Sequence, residues 1–75
     1  MPVSMPSDHL IGKTGRVTGR VGPGTVGEVT IAIRGGSEAY FAHPYDGNEE
    51  IPSGTQVVVV AAAAPRTVYV TAFGL

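Results

Sequence analysis

Residues 26–34 have the sequence VGEVTIAIR, which is the most regular segment of the chain. Val29, Ile31 and Ile33 alternate with Thr30 and Ala32, and this period of two is typical of a β-strand with one buried face. Val, Ile and Thr together supply 22 of the 75 residues, and side chains branched at Cβ pack well on a pleated surface. The segment therefore predicts a strand whose Val and Ile residues point into a core.

A glycine-rich turn follows this strand at residues 35–37, which have the sequence GGS. A loop of three residues would place Arg34 opposite Glu38 and Ile31 opposite Phe41. A loop of two residues would instead turn Glu38 toward the core and Phe41 toward solvent. Burying an unpaired carboxylate costs far more than an exposed ion pair contributes, so the longer loop is favoured and Phe41 is expected in the core.

Four further strands are predicted on either side of this hairpin. One covers residues 11–21 before the hairpin, and another follows the turn and ends near His43. The last two cover residues 55–63 and 66–73. The irregular segment 44–54 contains turn residues and Ile51, which is expected to plug the core beneath the loop. Five short strands with no helix of any length predict an all-β fold, a small closed or partly open barrel.

Length and composition limit the classes of function. A chain of 75 residues supports one small core, predicted over residues 10–75 behind a flexible tail at 1–9. A net charge of −1 argues against a strongly electrostatic binder of nucleic acid or anionic membranes. The chain has no cysteine, which excludes disulfides and thiolate metal sites. Its longest apolar run has eight residues, whereas a membrane-spanning helix needs about 20.

Motifs for catalysis or cofactor binding are incomplete. Residues 7–14 approach the phosphate-binding loop pattern, but a strand follows them where that motif needs a helix. His43 and the acidic residues at 46–50 offer only one nitrogen ligand, and their spacing does not fit a calcium loop. No catalytic, cofactor or metal residue is predicted, and the chain is expected to be neither an enzyme nor a binder of a small-molecule substrate.

A nucleic-acid face is the alternative interpretation. Arg16 and Arg20 share one side of the first predicted strand, and Arg34 would approach them across the hairpin. Small barrels bind single strands by combining a positive groove with aromatic stacking, for which the tyrosines would serve. Glu28 and Glu38 lie among these arginines, however, and neutralise part of the charge that such binding needs.

Five blocks of sequence resemble the C-terminal soluble domain of the NfeD-like proteins, also called stomatin-operon partner proteins. The blocks are LIGKTG at 10–15, GTVGEV at 24–29, IRGGSEAYFA at 33–42, IPSGTQVVV at 51–59 and TVYV at 67–70. Each block alone is common in valine-rich strands with glycine turns. The resemblance extends from Leu10 to Phe73, about 64 of the 75 residues, and the order and spacing of the blocks carry it.

The resemblance implies a five-stranded OB-type barrel that lacks the usual helix between its third and fourth strands. It also implies a non-enzymatic accessory of stomatin, prohibitin or flotillin-like membrane scaffold proteins. The expected location is cytoplasmic, at the inner face of the membrane through a partner or a transmembrane segment outside this sequence. The chain would then be an excised domain or a short stand-alone member. Some longer relatives carry a Clp-type serine protease domain, which nothing in this chain matches.

A barrel this small fills its interior with side chains, so recognition must use its surface. Residues 57–60 are four valines, apolar on both faces, and such a strand is either covered on both sides or meets a partner. The predicted protein interface consists of Val58, Val60, Tyr69 and Phe73. Its occupant would be a protein partner or a second copy of the chain.

Overall fold

The computed structural model describes residues 8–73, which form five strands and one short turn of 3₁₀-helix at Asp8–Leu10. Of the tail expected at residues 1–9, residues 1–7 lie outside the described residues. The strands are β1 Thr14–Gly19, β2 Gly27–Ile33, β3 Gly36–Pro44, β4 Gln56–Ala63 and β5 Thr67–Ala72. β1 is shorter than predicted because its ladder becomes irregular after Val17.

The five strands close into a barrel in the order β1-β2-β3-β5-β4, with β4 paired back onto β1. Every pairing is antiparallel except that of β3 with β5, which is parallel. The connection from β3 to β4, residues 45–55, contains no helix. The predicted all-β, five-stranded OB-type barrel without a helix between strands 3 and 4 is therefore confirmed.

The interior of the barrel is filled by one apolar cluster. The alternation of each strand places its inward residues there, while Leu10 from the 3₁₀ turn and Ile51 from the long loop complete the packing. The buried residues are Leu10, Val17, Val21, Val29, Ile31, Tyr40, Ala42, Ile51, Val57, Val59, Val68 and Val70. The expectation that Ile51 plugs the core is confirmed.

The register of the β2–β3 hairpin differs from the predicted one. Ile33 lies opposite Gly36, so the loop consists of Arg34 and Gly35 alone, and Gly35 adopts a φ of 80°. The prediction of a three-residue loop is wrong, because Arg34 does not face Glu38. Two-residue hairpin loops need a residue with positive φ, and glycine at position 35 meets that need.

The change of register exchanges the roles of two aromatic residues. Tyr40 lies opposite Val29 and is buried, whereas Phe41 lies opposite Glu28 and is 55% exposed. The expectation of Phe41 in the core facing Ile31 is therefore wrong. Glu38 takes the position opposite Ile31 without being buried, since its side chain remains 52% exposed at the end of the barrel. The cost of burying an unpaired carboxylate, which favoured the three-residue loop, therefore does not arise in this register.

Candidate functional site

The outward side chains of β3, β5 and β4 form a surface without formal charge, which we call the outer face. It arises because the alternate residues of these strands, such as Ala42, Val59 and Val70, point inward and are buried. The members of the outer face are Phe41 and His43 on β3, Thr67, Tyr69 and Thr71 on β5, and Val58, Val60, Ala61 and Ala63 on β4. None of them is a lysine, arginine, aspartate or glutamate.

A shallow apolar groove of about 490 Å³ lies at one end of the outer face, and we call it the Phe41 groove. It is lined by Val26, Phe41, His43, Pro65 and Thr67. Val26 is 62% exposed and Phe41 is 55% exposed, which are high fractions for large apolar side chains. Three separate parts of the chain meet here: the approach to β2, the middle of β3 and the turn from β4 into β5.

The parallel pairing of β3 and β5 joins this groove to the rest of the outer face. His43 lies opposite Tyr69, and their ring centroids are 5.6 Å apart with the planes tilted by 31°. Tyr69 lies in turn opposite Ala61 on β4. The uncharged surface therefore continues across all three strands.

The four residues predicted from sequence as a protein interface lie on this side of the barrel. Val58, Val60 and Tyr69 belong to the outer face and are half-buried by their neighbours. Val60 lies at an irregularity of the β4–β5 ladder, between Val59 and Ala61. Phe73 follows β5, is 50% exposed, and donates its N–H to the carbonyl of Gln56 at 2.8 Å.

Val26 and Phe41 were not predicted as surface residues of an interface. The three-residue hairpin loop predicts Phe41 in the core, and the pattern at residues 26–34 predicts Val26 as the first residue of an ordinary strand. Tyr40 and Phe41 are adjacent and both large, so the sequence offers no signal that decides which of them faces inward. That choice depends on the hairpin register alone.

Charged groups border the outer face at two ends. At one end, Glu49 accepts hydrogen bonds from the Thr71 hydroxyl at 2.8 Å and from the Ala72 N–H at 3.1 Å. At the other end, Arg66 precedes Thr67 with a φ of 47°. The Arg66 guanidinium donates to the Ala39 carbonyl at 2.8 Å and to Glu38 at 3.4 Å.

The structure changes the ionisation of Tyr40. Its hydroxyl donates to Glu38 at 3.2 Å, and the Arg66 guanidinium lies over its ring, 4.7 Å from the centroid. Burial raises the pKa of Tyr40, and the hydrogen bond to Glu38 and the negative charge of Glu38 raise it further. The positive charge of Arg66 opposes this shift of the Tyr40 pKa without cancelling it.

The three arginines of the alternative nucleic-acid interpretation do not form one patch. Arg16 lies opposite Thr30 in the middle of the β1–β2 ladder, and its guanidinium donates to the Gly54 carbonyl at 3.0 Å. Arg20 follows the end of β1 and forms an ion pair of 3.2 Å with Glu50. Arg34 lies in the β2–β3 turn, beyond the opposite end of that ladder. Arg20 and Arg34 are consequently separated by the length of β2.

The acidic loop residues are engaged individually. Glu49 is bound to Thr71 and Ala72, Glu50 is bound to Arg20, and Asp46 accepts from the N–H of Asn48 at 3.3 Å. Within residues 8–73, no three histidine or carboxylate side chains lie together as a metal-binding group would require. The same stretch of chain contains no helix with the length and apolar character needed to cross a membrane.

Comparison with known proteins connects this fold to one family. The family model described as the NfeD C-terminal domain matches residues 14–71, from the start of β1 to within β5. A solved structure, the soluble domain of the NfeD protein YuaF from Bacillus subtilis, is similar with a TM-score of 0.76 and 33% sequence identity. That similarity covers 88% of this chain and 76% of the other. Comparison with functionally curated proteins gives no match.

Proposed function

Since the chain belongs to the NfeD C-terminal domain family, we propose that it is a non-enzymatic protein-interaction module. Its partner is a membrane scaffold protein of the stomatin, prohibitin or flotillin type, for which the chain acts as an accessory. It works at the cytoplasmic face of the membrane. The contact surface is the Phe41 groove together with the adjoining outer face.

The observation that carries this proposal is the exposed, charge-free apolar surface on a domain of only 75 residues. Contiguous apolar patches on small soluble domains mark sites of interaction. The buried centres of protein interfaces are enriched in aromatic residues and depleted in charged ones, and Phe41 with Tyr69 on an uncharged surface fits that composition. The groove also offers a recess in which a partner's apolar side chain can be desolvated.

The filled interior supports a role without chemistry. Twelve buried side chains pack together inside the barrel, and a barrel this small is filled by its own side chains. His43 is the titratable side chain lining the Phe41 groove, and it contacts the Tyr69 ring rather than a nucleophile or a carboxylate. Recognition of another macromolecule at the surface is what such a barrel can perform.

The test is a calorimetric titration of the domain with the soluble part of a stomatin- or flotillin-like protein from the same organism. Phe41→Ser should weaken binding at least about tenfold, because it removes an apolar anchor from the groove. The matched control is Ile11→Ser, which replaces an exposed apolar residue before β1, outside the groove. The control should change the Kd less than about twofold.

Two results would contradict the proposal in different ways. If the wild-type domain binds none of the stomatin-, prohibitin- or flotillin-like proteins offered, the partnership is wrong. If the wild-type domain binds and Phe41→Ser has the same Kd, the partnership stands and the assigned surface is wrong. The thermal unfolding of Phe41→Ser must match that of the wild type, which is expected because the side chain is largely exposed.

A further inference from the structure

The N-terminal part of β3 extends past the start of β5, the strand that pairs with the edge of β3 opposite β2. β5 begins at Thr67 opposite Phe41, so the part of β3 before Phe41 is paired with β2 on one side only. The N–H groups of Phe41 and Tyr45 donate to the carbonyls of Arg66 and Val70 at 2.9 and 2.8 Å. The odd-numbered residues of β3 therefore direct their backbone N–H and C=O groups toward β5.

The same alternation determines where Ser37 and Ala39 point. Backbone N–H and C=O groups of a strand turn to the same side at every second residue, so those of Ser37 and Ala39 lie on the edge that β5 does not reach. We call these two residues the free edge. Within residues 8–73, the Ala39 carbonyl is the one group of the free edge that has a hydrogen-bond partner, and that partner is the side chain of Arg66.

Arg66 covers the free edge from an exposed position. Its side chain is 56% exposed, and besides the Ala39 carbonyl it contacts Glu38 and the ring of Tyr40. The same guanidinium nitrogen donates to Glu38 and to the Ala39 carbonyl. An N–H group of an incoming segment would replace the hydrogen bond that the Ala39 carbonyl loses, so the exchange costs little.

We propose that the free edge binds an extended segment of a partner protein by β-strand addition. Arg66 moves off the Ala39 carbonyl as the segment pairs with Ser37 and Ala39, and an apolar side chain of the segment enters the Phe41 groove. This inference rests on the proposed function and specifies the form in which the partner is recognised. In strand addition, backbone hydrogen bonds supply affinity and pockets for alternate side chains supply specificity.

The position of the groove supports this mode of binding. Ala39 and Phe41 are successive residues on the outer side of β3, and Pro65 immediately precedes Arg66. A segment added along the free edge lies in line with β5 and leads directly to Phe41 and Pro65, two residues that line the groove. The unpaired backbone groups and the recess therefore belong to one continuous binding surface.

A second copy of the chain fits this edge poorly. Antiparallel pairing of two free edges with Ser37 opposite Ala39 places Glu38 opposite Glu38 of the second copy. Like charges directly opposite each other on neighbouring strands are destabilising. The occupant is accordingly a segment of a different protein, without an acidic residue at that position.

The experiment selects binders from a phage-displayed library of random 12-residue peptides against the whole chain. The decisive variant is Ala39→Pro, because proline is tolerated at an edge position whose N–H faces outward and it removes that donor. Ala39→Ser is the matched control, since it keeps the N–H. Selected peptides should bind Ala39→Pro at least about tenfold more weakly than the wild type and Ala39→Ser within about twofold.

Amide hydrogen exchange of the wild-type domain provides a measurement that does not depend on a variant. A bound peptide should slow exchange at Ser37 and Ala39, whose N–H groups have no hydrogen-bond partner among residues 8–73. Failure to select any peptide, equal binding by Ala39→Pro, or unchanged exchange at both amides would each overturn strand addition. A scaffold protein that needs Phe41 but binds Ala39→Pro normally would also overturn strand addition, while the proposed function would stand.

Discussion

Ile51 and Val21 exchange two backbone hydrogen bonds. The N–H of Ile51 donates to the Val21 carbonyl at 2.7 Å, and the N–H of Val21 donates to the Ile51 carbonyl at 3.0 Å. This isolated antiparallel bridge ties the long β3–β4 connection to the chain just beyond β1. It also places the Ile51 side chain, which is 1% exposed, among the core residues.

Truncating this plug should destabilise the whole domain. We expect Ile51→Ala to lower the free energy of unfolding by about 2–4 kcal/mol, because it removes buried apolar surface and leaves a cavity. The control is Val26→Ala, which shortens an exposed side chain and should change that free energy by less than about 0.5 kcal/mol. Urea unfolding followed by circular dichroism measures both free energies of unfolding. A loss for Ile51→Ala as small as that for Val26→Ala would show that the loop does not contribute to the core.

Much of this fold follows from period-two patterns. The inward positions of β2 and β5 coincide with the alternating apolar residues, because a one-residue shift would expose the entire hydrophobic set of a strand. The register of β3 was not predictable in the same way. Tyr40 and Phe41 are adjacent and both could fill the core, and Glu38 does not decide between them because its side chain stays exposed at the end of the barrel.

The candidate site was predictable only in part. The valine run at residues 57–60 is apolar on both faces, and from it the sequence indicated Val58 and Val60. The Phe41 groove has no sequence signal, since Val26, Phe41 and Pro65 are far apart in the chain. They meet because β3 pairs with β2 on one side, which brings in Val26, and with β5 on the other, which brings in Pro65.

Gly27 lies where the backbone of the barrel is tightly packed. A Cβ atom at this position would be 2.6 Å from the Arg20 carbonyl oxygen and 2.6 Å from a methyl group of Val21. A backbone oxygen cannot move aside as a flexible side chain can, so Gly27→Ala should destabilise the domain by about 1–3 kcal/mol. Chemical unfolding measures this change.

Gly36→Ala is the matched control for that substitution. A Cβ atom at Gly36 would meet nothing within 4 Å, and Gly36 does not adopt a positive φ. Replacing a strand glycine by alanine there should leave stability unchanged or raise it by up to about 1 kcal/mol. If Gly36→Ala were the more damaging of the two, close packing would not be the reason for glycine at position 27.

Single-stranded nucleic acid should not bind this domain in a salt-dependent way. Arg20 is neutralised by Glu50, Arg34 lies beyond the far end of the β1–β2 ladder, and Tyr40 is buried rather than available for stacking. We expect no change in the anisotropy of a labelled oligonucleotide at low salt. A salt-sensitive signal that Arg16→Glu abolishes would restore the nucleic-acid interpretation.

The ionisation of Tyr40 should make the stability of the domain fall at alkaline pH. Burial, the hydrogen bond to Glu38 and the charge of Glu38 raise the Tyr40 pKa in the folded state above the value of about 10 that tyrosine has in an unfolded chain. Below that pH, both states hold the proton and the contribution of Tyr40 to stability is fully present. Above it the unfolded state loses its proton first, so the free energy of unfolding decreases as the pH rises through the folded pKa.

Two substitutions isolate this effect of Tyr40. Tyr40→Phe should remove its part of the alkaline decrease, seen as a smaller loss of stability than in the wild type when urea unfolding is compared at about pH 8 and above about pH 10. Glu38→Gln removes the negative charge beside the hydroxyl, so the Tyr40 pKa should move toward its ordinary value, and the absorbance change at 295 nm should occur at lower pH. An absorbance component, lost in Tyr40→Phe, that titrates at or below the ordinary tyrosine pKa in the wild-type domain would contradict the contacts described for this residue. Burial and Glu38 would then not be the groups that control it.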